Sequence, residues 1–177
     1  MKAVFSISLF LSLLLISCNA EPTLQKYFVE NSENKNFIVL DLSSSILNLD
    51  EKRLSIEQNT ALSSFDKINV LIFKLNSKNE DQLGTERAKI DVILEDSKYK
   101  KLIKYGSGKQ SAFISYVGSD EHIEEFVLFA NRKEKGFAVV RVLGKDMSPT
   151  NIMTILSVLK ESEIDLEQLK PLQQLIK

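Results

Sequence analysis

Apolar positions recur along this chain in three rhythms: one unbroken run, several short runs with polar borders, and stripes at helical spacing. The unbroken run is Ala3 to Ile16, interrupted only by Ser6, Ser8 and Ser12. From Glu21 to Asn36 the chain is polar around one cluster, Leu24, Tyr27 and Phe28, spaced as a short helix or as a tether's last contact with a domain. Phe37 to Leu42 is a continuous run that predicts a strand buried on both faces. Asn48-Leu49-Asp50-Glu51 then fits a capping box, and Leu54, Ala61, Leu62 and Phe65 extend one stripe, so a helix is expected near 49–64. Ile68 to Leu75 repeats the buried-strand pattern. A second capping signature, Ser77-Lys78-Asn79-Glu80, opens a longer helix with Leu83, Ile90, Ile93 and Leu94 on one side and Arg87 four before Asp91. The stripe loses phase after Leu94, and Asp96-Ser97 predict a fresh start for a short helix carrying Tyr99, Leu102 and Ile103.

The C-terminal half changes rhythm. Gln110 to Val117, Ile123 to Asn131 and Phe137 to Leu143 are strands, separated by Gly118-Ser119-Asp120-Glu121 and Arg132-Lys133-Glu134-Lys135-Gly136, which have the length of hairpin turns. That spacing predicts an antiparallel meander. Ser148-Pro149 offers an N-cap and a proline at the first helical position, ahead of the stripe Ile152, Ile155, Leu156 and Leu159. Asp165 to Lys170 has room for one more short helix before Pro171, and Leu172, Leu175 and Ile176 leave the tail apolar enough to dock. The order β-α-β-α-α-β-β-β-α points to an α+β domain: a single mixed sheet with helices packed on one face, its first two strands parallel through a right-handed crossover.

Composition changes the picture at the N-terminus. Lys2, the apolar run and the small residue Ser17 form an export signal. Leu15-Ile16-Ser17-Cys18 resembles the bacterial lipobox, and Cys18 is the one cysteine in the chain. That resemblance implies a diacylglyceryl thioether and an N-acyl chain such as palmitate on Cys18, and two or three chains anchor a protein stably where one does not. The run is too short and too broken for a spanning helix, which wants about 20 apolar residues. The expected organisation is a signal peptide over 1–17, a lipidated N-terminus and tether over 18–36, and the domain over 37–177. Asn19 stands where aspartate would mark inner-membrane retention, which favours the outer membrane and a periplasm-facing domain. The 23 basic and 24 acidic residues nearly balance, which argues against nucleic acid as a partner. One cysteine permits no internal disulfide, so stability rests on the apolar core.

Candidate chemistry is sparse. Gly106-Ser107-Gly108-Lys109-Gln110 superficially suggests a phosphate loop, but Ile103 stands where its first glycine belongs and Gln110 where Ser or Thr belongs, so a helix end and turn is the better reading. Asp120, Glu121, His122, Glu124 and Glu125 are the densest cluster of potential ligands, without a second histidine or a cysteine; a solvated hairpin mouth is expected. His122 is the chain's one histidine, so any Ser-His triad must use it. Arg141 is out of place in an apolar strand: it either emerges on an open sheet face as a partner-docking residue or pairs with a buried acid. No catalytic, cofactor or metal residue is assigned.

Leu102-Ile103-Lys104-Tyr105 before a strand, the hairpin end Val139-Val140-Arg141-Val142-Leu143-Gly144-Lys145-Asp146-Met147-Ser148 and the amphipathic helix after it resemble the domain of unknown function 4252 family, small lipoproteins of the Bacteroidetes. The resemblance implies an envelope lipoprotein and the architecture above, and carries no catalytic signature. Some members lie beside regulatory sigma-factor genes, which implies envelope signalling through a protein partner. The expected function is therefore a lipid-anchored envelope protein acting by binding or scaffolding. The alternatives are a signalling component and a hydrolase centred on His122.

Overall fold

The computed structural model describes residues 21–43, 54–107 and 110–161. The leader, the lipobox with Cys18, the capping box at 48–51 and the tail with its expected helix at 165–170 lie outside the described residues. Among the described residues, four helices and six strands follow one another as α1 (Leu24–Glu30), β1 (Phe37–Ser43), α2 (Ile56–Ser63), β2 (Phe65–Lys74), α3 (Gln82–Leu94), β3 (Lys100–Ser107), β4 (Gln110–Gly118), β5 (Ile123–Arg132), β6 (Gly136–Met147) and α4 (Pro149–Glu161). The strands form one sheet in the order β1-β2-β6-β5-β4-β3, and the fold is α+β.

Every neighbouring pair is antiparallel. The expected meander is present, whereas the expected mixed sheet is corrected. Phe37 lies opposite Phe73 and Ser43 opposite Lys67, so β2 starts beside the end of β1. The α2 connection therefore returns to the same end of the sheet and needs no crossover along its length. β3 is a second correction, since it falls where a short helix was expected. Leu102 sits in a bulge between Lys101 and Ile103, and pairing of Lys104 with Phe113 and Tyr105 with Ala112 outweighs the helical spacing of Tyr99, Leu102 and Ile103.

Strand side chains alternate, and the two faces bury different helices. On the odd face, Leu71, Phe73, Val127, Phe129, Phe137 and Val139 pack with Leu24, Tyr27 and Phe28 of α1 and Ile90, Ile93 and Leu94 of α3. On the even face, Ile68, Val70, Ile72, Phe126 and Val142 pack with Ala61 of α2 and Ile152 of α4. Helices thus cover both faces and not one, because β2, β5 and β6 are apolar on both sides and each side needs cover. Leu24 is fully buried, so α1 packs as part of the odd-face core.

Local caps fix where the helices start. Thr23 accepts from the Lys26 amide at 3.2 Å, and Ser55 forms a reciprocal capping box with Gln58. The expected cap at Ser148 is present, its hydroxyl accepting from the Asn151 amide at 3.2 Å. At Gly136, φ is +105° and a β-carbon would collide with the Phe73 carbonyl oxygen, so the turn into β6 needs glycine. Gly84 in α3 has nothing within 4 Å of an added β-carbon. Gly84→Ala is expected to raise stability by about 0.5–1 kcal/mol and Gly136→Ala to lower it by about 2–4 kcal/mol, read from urea midpoints. Equal midpoints for the two variants would contradict this register.

Candidate functional site

The odd position of Arg141 on β6 points its side chain under α1. It is 5% exposed and has three polar contacts. Its Nε donates to Glu125 Oε1 at 2.7 Å, Nη2 to Glu125 Oε2 at 3.3 Å and Nη1 to Gln25 Oε1 at 2.8 Å, while its guanidinium carbon lies 5.6 Å from the Phe28 ring centre. Arg141 pairs across β5 with Val127, so Glu125 reaches it diagonally from the same face. Of the two readings of Arg141, the buried pair is the one observed. As a partner-docking residue it is corrected, because α1 covers the face onto which it projects. Nearby, burial and then the Glu125 charge push the Tyr99 hydroxyl up to about 12. Tyr27 donates to Glu86 at 2.6 Å, which ties α1 to α3, and burial with that bond holds its proton well above the ordinary tyrosine range.

The acidic cluster at the β4–β5 hairpin is dispersed. Asp120 accepts from the Tyr116 hydroxyl at 2.5 Å, and this bond raises the Tyr116 pKa. Glu125 turns inward to Arg141, and His122 Nδ1 lies 2.7 Å from Asp146 Oδ1 with both side chains more than two-thirds exposed. Among the described residues no group of three histidine, cysteine or carboxylate side chains is placed to hold a metal ion. The hollow beside Asp146 is lined by Asn59, Thr60, Ser63 and Asn151 and not by His122. Gly106 (φ +68°) lies near the end of β3, where it pairs with Ser111, so the glycine-rich stretch follows a strand and is not a helix end. A phosphate loop would instead lead from a strand into a helix.

Among the described residues, two apolar surfaces stand out. Between α1 and α3 runs a groove of about 680 Å³ lined by Pro22, Tyr27, Ala88, Val92 and Ile93. The other is on the even face. α2 and α4 cover the sheet near Ile68, Phe126 and Val142, and beyond them Ala112, Ile114, Leu128, Ala138 and Val140 line an open hollow of about 500 Å³. Ile103 and Tyr105 of the edge strand continue it, 54% and 77% exposed. Sequence reasoning missed this surface because β3 was read as a short helix; the signal was the placing of Ile103 and Tyr105 on either side of Lys104.

Fold and geometry thus define a small α+β domain whose central charged pair is internal and which presents apolar surface at the α1–α3 groove and at the open end of the even face. The chain belongs to the family described as "Domain of unknown function (DUF4252)", whose model matches residues 27–155. No curated protein and no solved structure matches it. Among the described residues no helix is long and apolar enough to cross a membrane.

Removing one partner of a buried pair leaves the other charge uncompensated, so Arg141→Met is expected to cost about 3–5 kcal/mol, while the double variant Arg141→Met with Glu125→Leu recovers most of it. Urea unfolding of both variants checks this. The tyrosines give a pH test. Unfolded tyrosine loses its proton near pH 10 and folded Tyr99 keeps it to about 12, so the stabilisation is complete below pH 10 and falls as pH rises toward 12. Tyr99→Phe is expected to show a shallower fall of the unfolding midpoint across that window than the wild type.

Proposed function

We propose that this chain is a lipid-anchored envelope protein whose domain binds a protein partner through the open end of the even face. The observation that carries the docking part is the exposed apolar surface formed by Ile103, Tyr105, Ile114, Leu128 and Val140, since contiguous exposed apolar area marks interaction sites. The sheet edge is a poorer candidate: Lys100, Lys101 and Lys104 on β3 discourage strand addition, which leaves the face as the docking element. The anchor is supported by the sequence alone, through the run Ala3 to Ile16 and Leu15-Ile16-Ser17-Cys18. An outer-membrane, periplasm-facing position and an envelope-signalling role belong to the same proposal; both rest on Asn19 and on the family resemblance. Binding is favoured over hydrolysis because His122 pairs through Nδ1 with Asp146 on an open surface, with both side chains more than two-thirds exposed.

Two outcomes are expected in the native host. Wild-type protein should carry added diacylglyceryl mass without residues 1–17 and sediment with membranes, whereas Cys18→Ala should do neither; an unmodified wild-type mass would remove the anchor from the account. A photo-crosslinking residue at Tyr105 should form a discrete adduct with an envelope protein. Ile103→Glu should abolish that adduct while leaving stability within about 0.5 kcal/mol, as for other exposed positions. If the adduct survives that substitution, or forms equally from Lys133 at the β5–β6 turn, the even face is not the docking surface.

A further inference from the structure

The groove between α1 and α3 takes no part in the docking proposed for the even face, and it lies where the chain enters the domain. Leu24 is fully buried, and Pro22 and Thr23, just before it, line the groove. Cys18 stands four residues before Pro22. At about 3.5 Å per residue that stretch spans at most roughly 14 Å, less than half the length of a ten-residue strand such as β5, roughly 33 Å. A lipid on Cys18 therefore holds the groove close to the bilayer, and the other end of the domain away from it.

The surface brought there is apolar. Val92 stands two residues from both Ile90 and Leu94, which are buried, so it points away from the sheet and is 60% exposed. Val29 of α1 is 62% exposed. Pro22 and Ala88 add to the apolar lining, and the charged residues in it are Lys26, Lys89 and Glu30, a balance that does not repel an anionic headgroup layer. An acyl chain of Cys18 laid into this open groove would stay partly wet, whereas the bilayer buries every CH₂ of it. The chains therefore go to the bilayer, and the groove meets the bilayer surface.

We infer that α1 and α3 form a membrane-facing surface, with Pro22, Val29 and Val92 seated at the headgroup boundary of a phospholipid bilayer. This rests on the reading of Cys18 as lipidated. It also orients the domain. α1 and α3 pack on one side of the sheet and the open end of the even face is on the other, so that face turns to the aqueous compartment, where a partner reaches it.

Cys18 is the one cysteine of the chain and carries the lipid on this account, so Val92→Cys supplies a single free thiol on the proposed surface. Ile56→Cys, at a position 82% exposed on α2, supplies one on the other side of the sheet. Each full-length protein, isolated with its anchor, is labelled with a polarity-sensitive fluorophore and reconstituted into vesicles of phosphatidylethanolamine and phosphatidylglycerol that contain nitroxide-bearing lipid. The label at Val92 is expected to lose several-fold more fluorescence than the label at Ile56. Val29→Asp in the Val92→Cys chain should remove most of that difference while the protein still sediments with the vesicles. Equal quenching at the two positions would overturn the inference. Quenching at Val92 that survives Val29→Asp would also overturn it, because the tether alone would then account for the proximity. So would a label at Val92 that reports an apolar environment without quenching, the result of an acyl chain of Cys18 filling the groove. In each of these cases sedimentation with the vesicles keeps the anchor standing; protein that does not sediment at all removes the anchor and the inference with it.

Discussion

The insertion of β6 between β2 and β5 is the constraint on which the rest of the structure depends. The last strand in sequence is paired on both sides, so it joins the N-terminal β1–β2 pair to the meander. Its odd residues, Phe137, Val139 and Arg141, face α1 and α3. Its even residues, Ala138, Val140 and Val142, face α2, α4 and the open hollow. Both cores, the buried ion pair and the exposed apolar surface are thus set by the alternation along one strand. A register slip of one residue would place Arg141 on the even face and exchange the two sets.

That placement also decides how charge is distributed. Burying a guanidinium is costly unless its donors are met, and here Glu125 and Gln25 meet them while Phe28 stacks alongside. The pair fixes α1 over the sheet, and with Tyr27 bound to Glu86 it joins both odd-face helices to the strands. The odd face is therefore covered by α1 and α3, with the Arg141 charge paired beneath them. The even face is half closed by α2 and α4, and its open end presents side chains that gain by being covered.

Much of this architecture was legible in the sequence, because five of the six strands are long apolar runs and the β4–β6 turns are short and polar. What escaped it was long-range. Whether β1 and β2 run parallel depends on where the α2 connection returns, which local periodicity does not encode. Leu102 and Ile103 of β3 stand at helical spacing from Tyr99, yet the segment becomes a strand because β4 offers it a partner. Arg141 illustrates the same limit at the site: its oddity in an apolar strand was visible, but the acid that pairs with it lies sixteen residues away. α2 starts at the Ser55–Gln58 box, a signal as good as the one at Asn48 and closer to the described helix.

We propose that the molecule acts through the open end of its sheet and not through a reaction centre. Hydrogen–deuterium exchange of the protein in its native envelope, set against the purified full chain, tests this most directly. The account expects added protection in peptides of β3 and β4 between residues 100 and 114, with the His122–Asp146 surface unchanged. Identical exchange in both settings, or protection centred on His122, would contradict it.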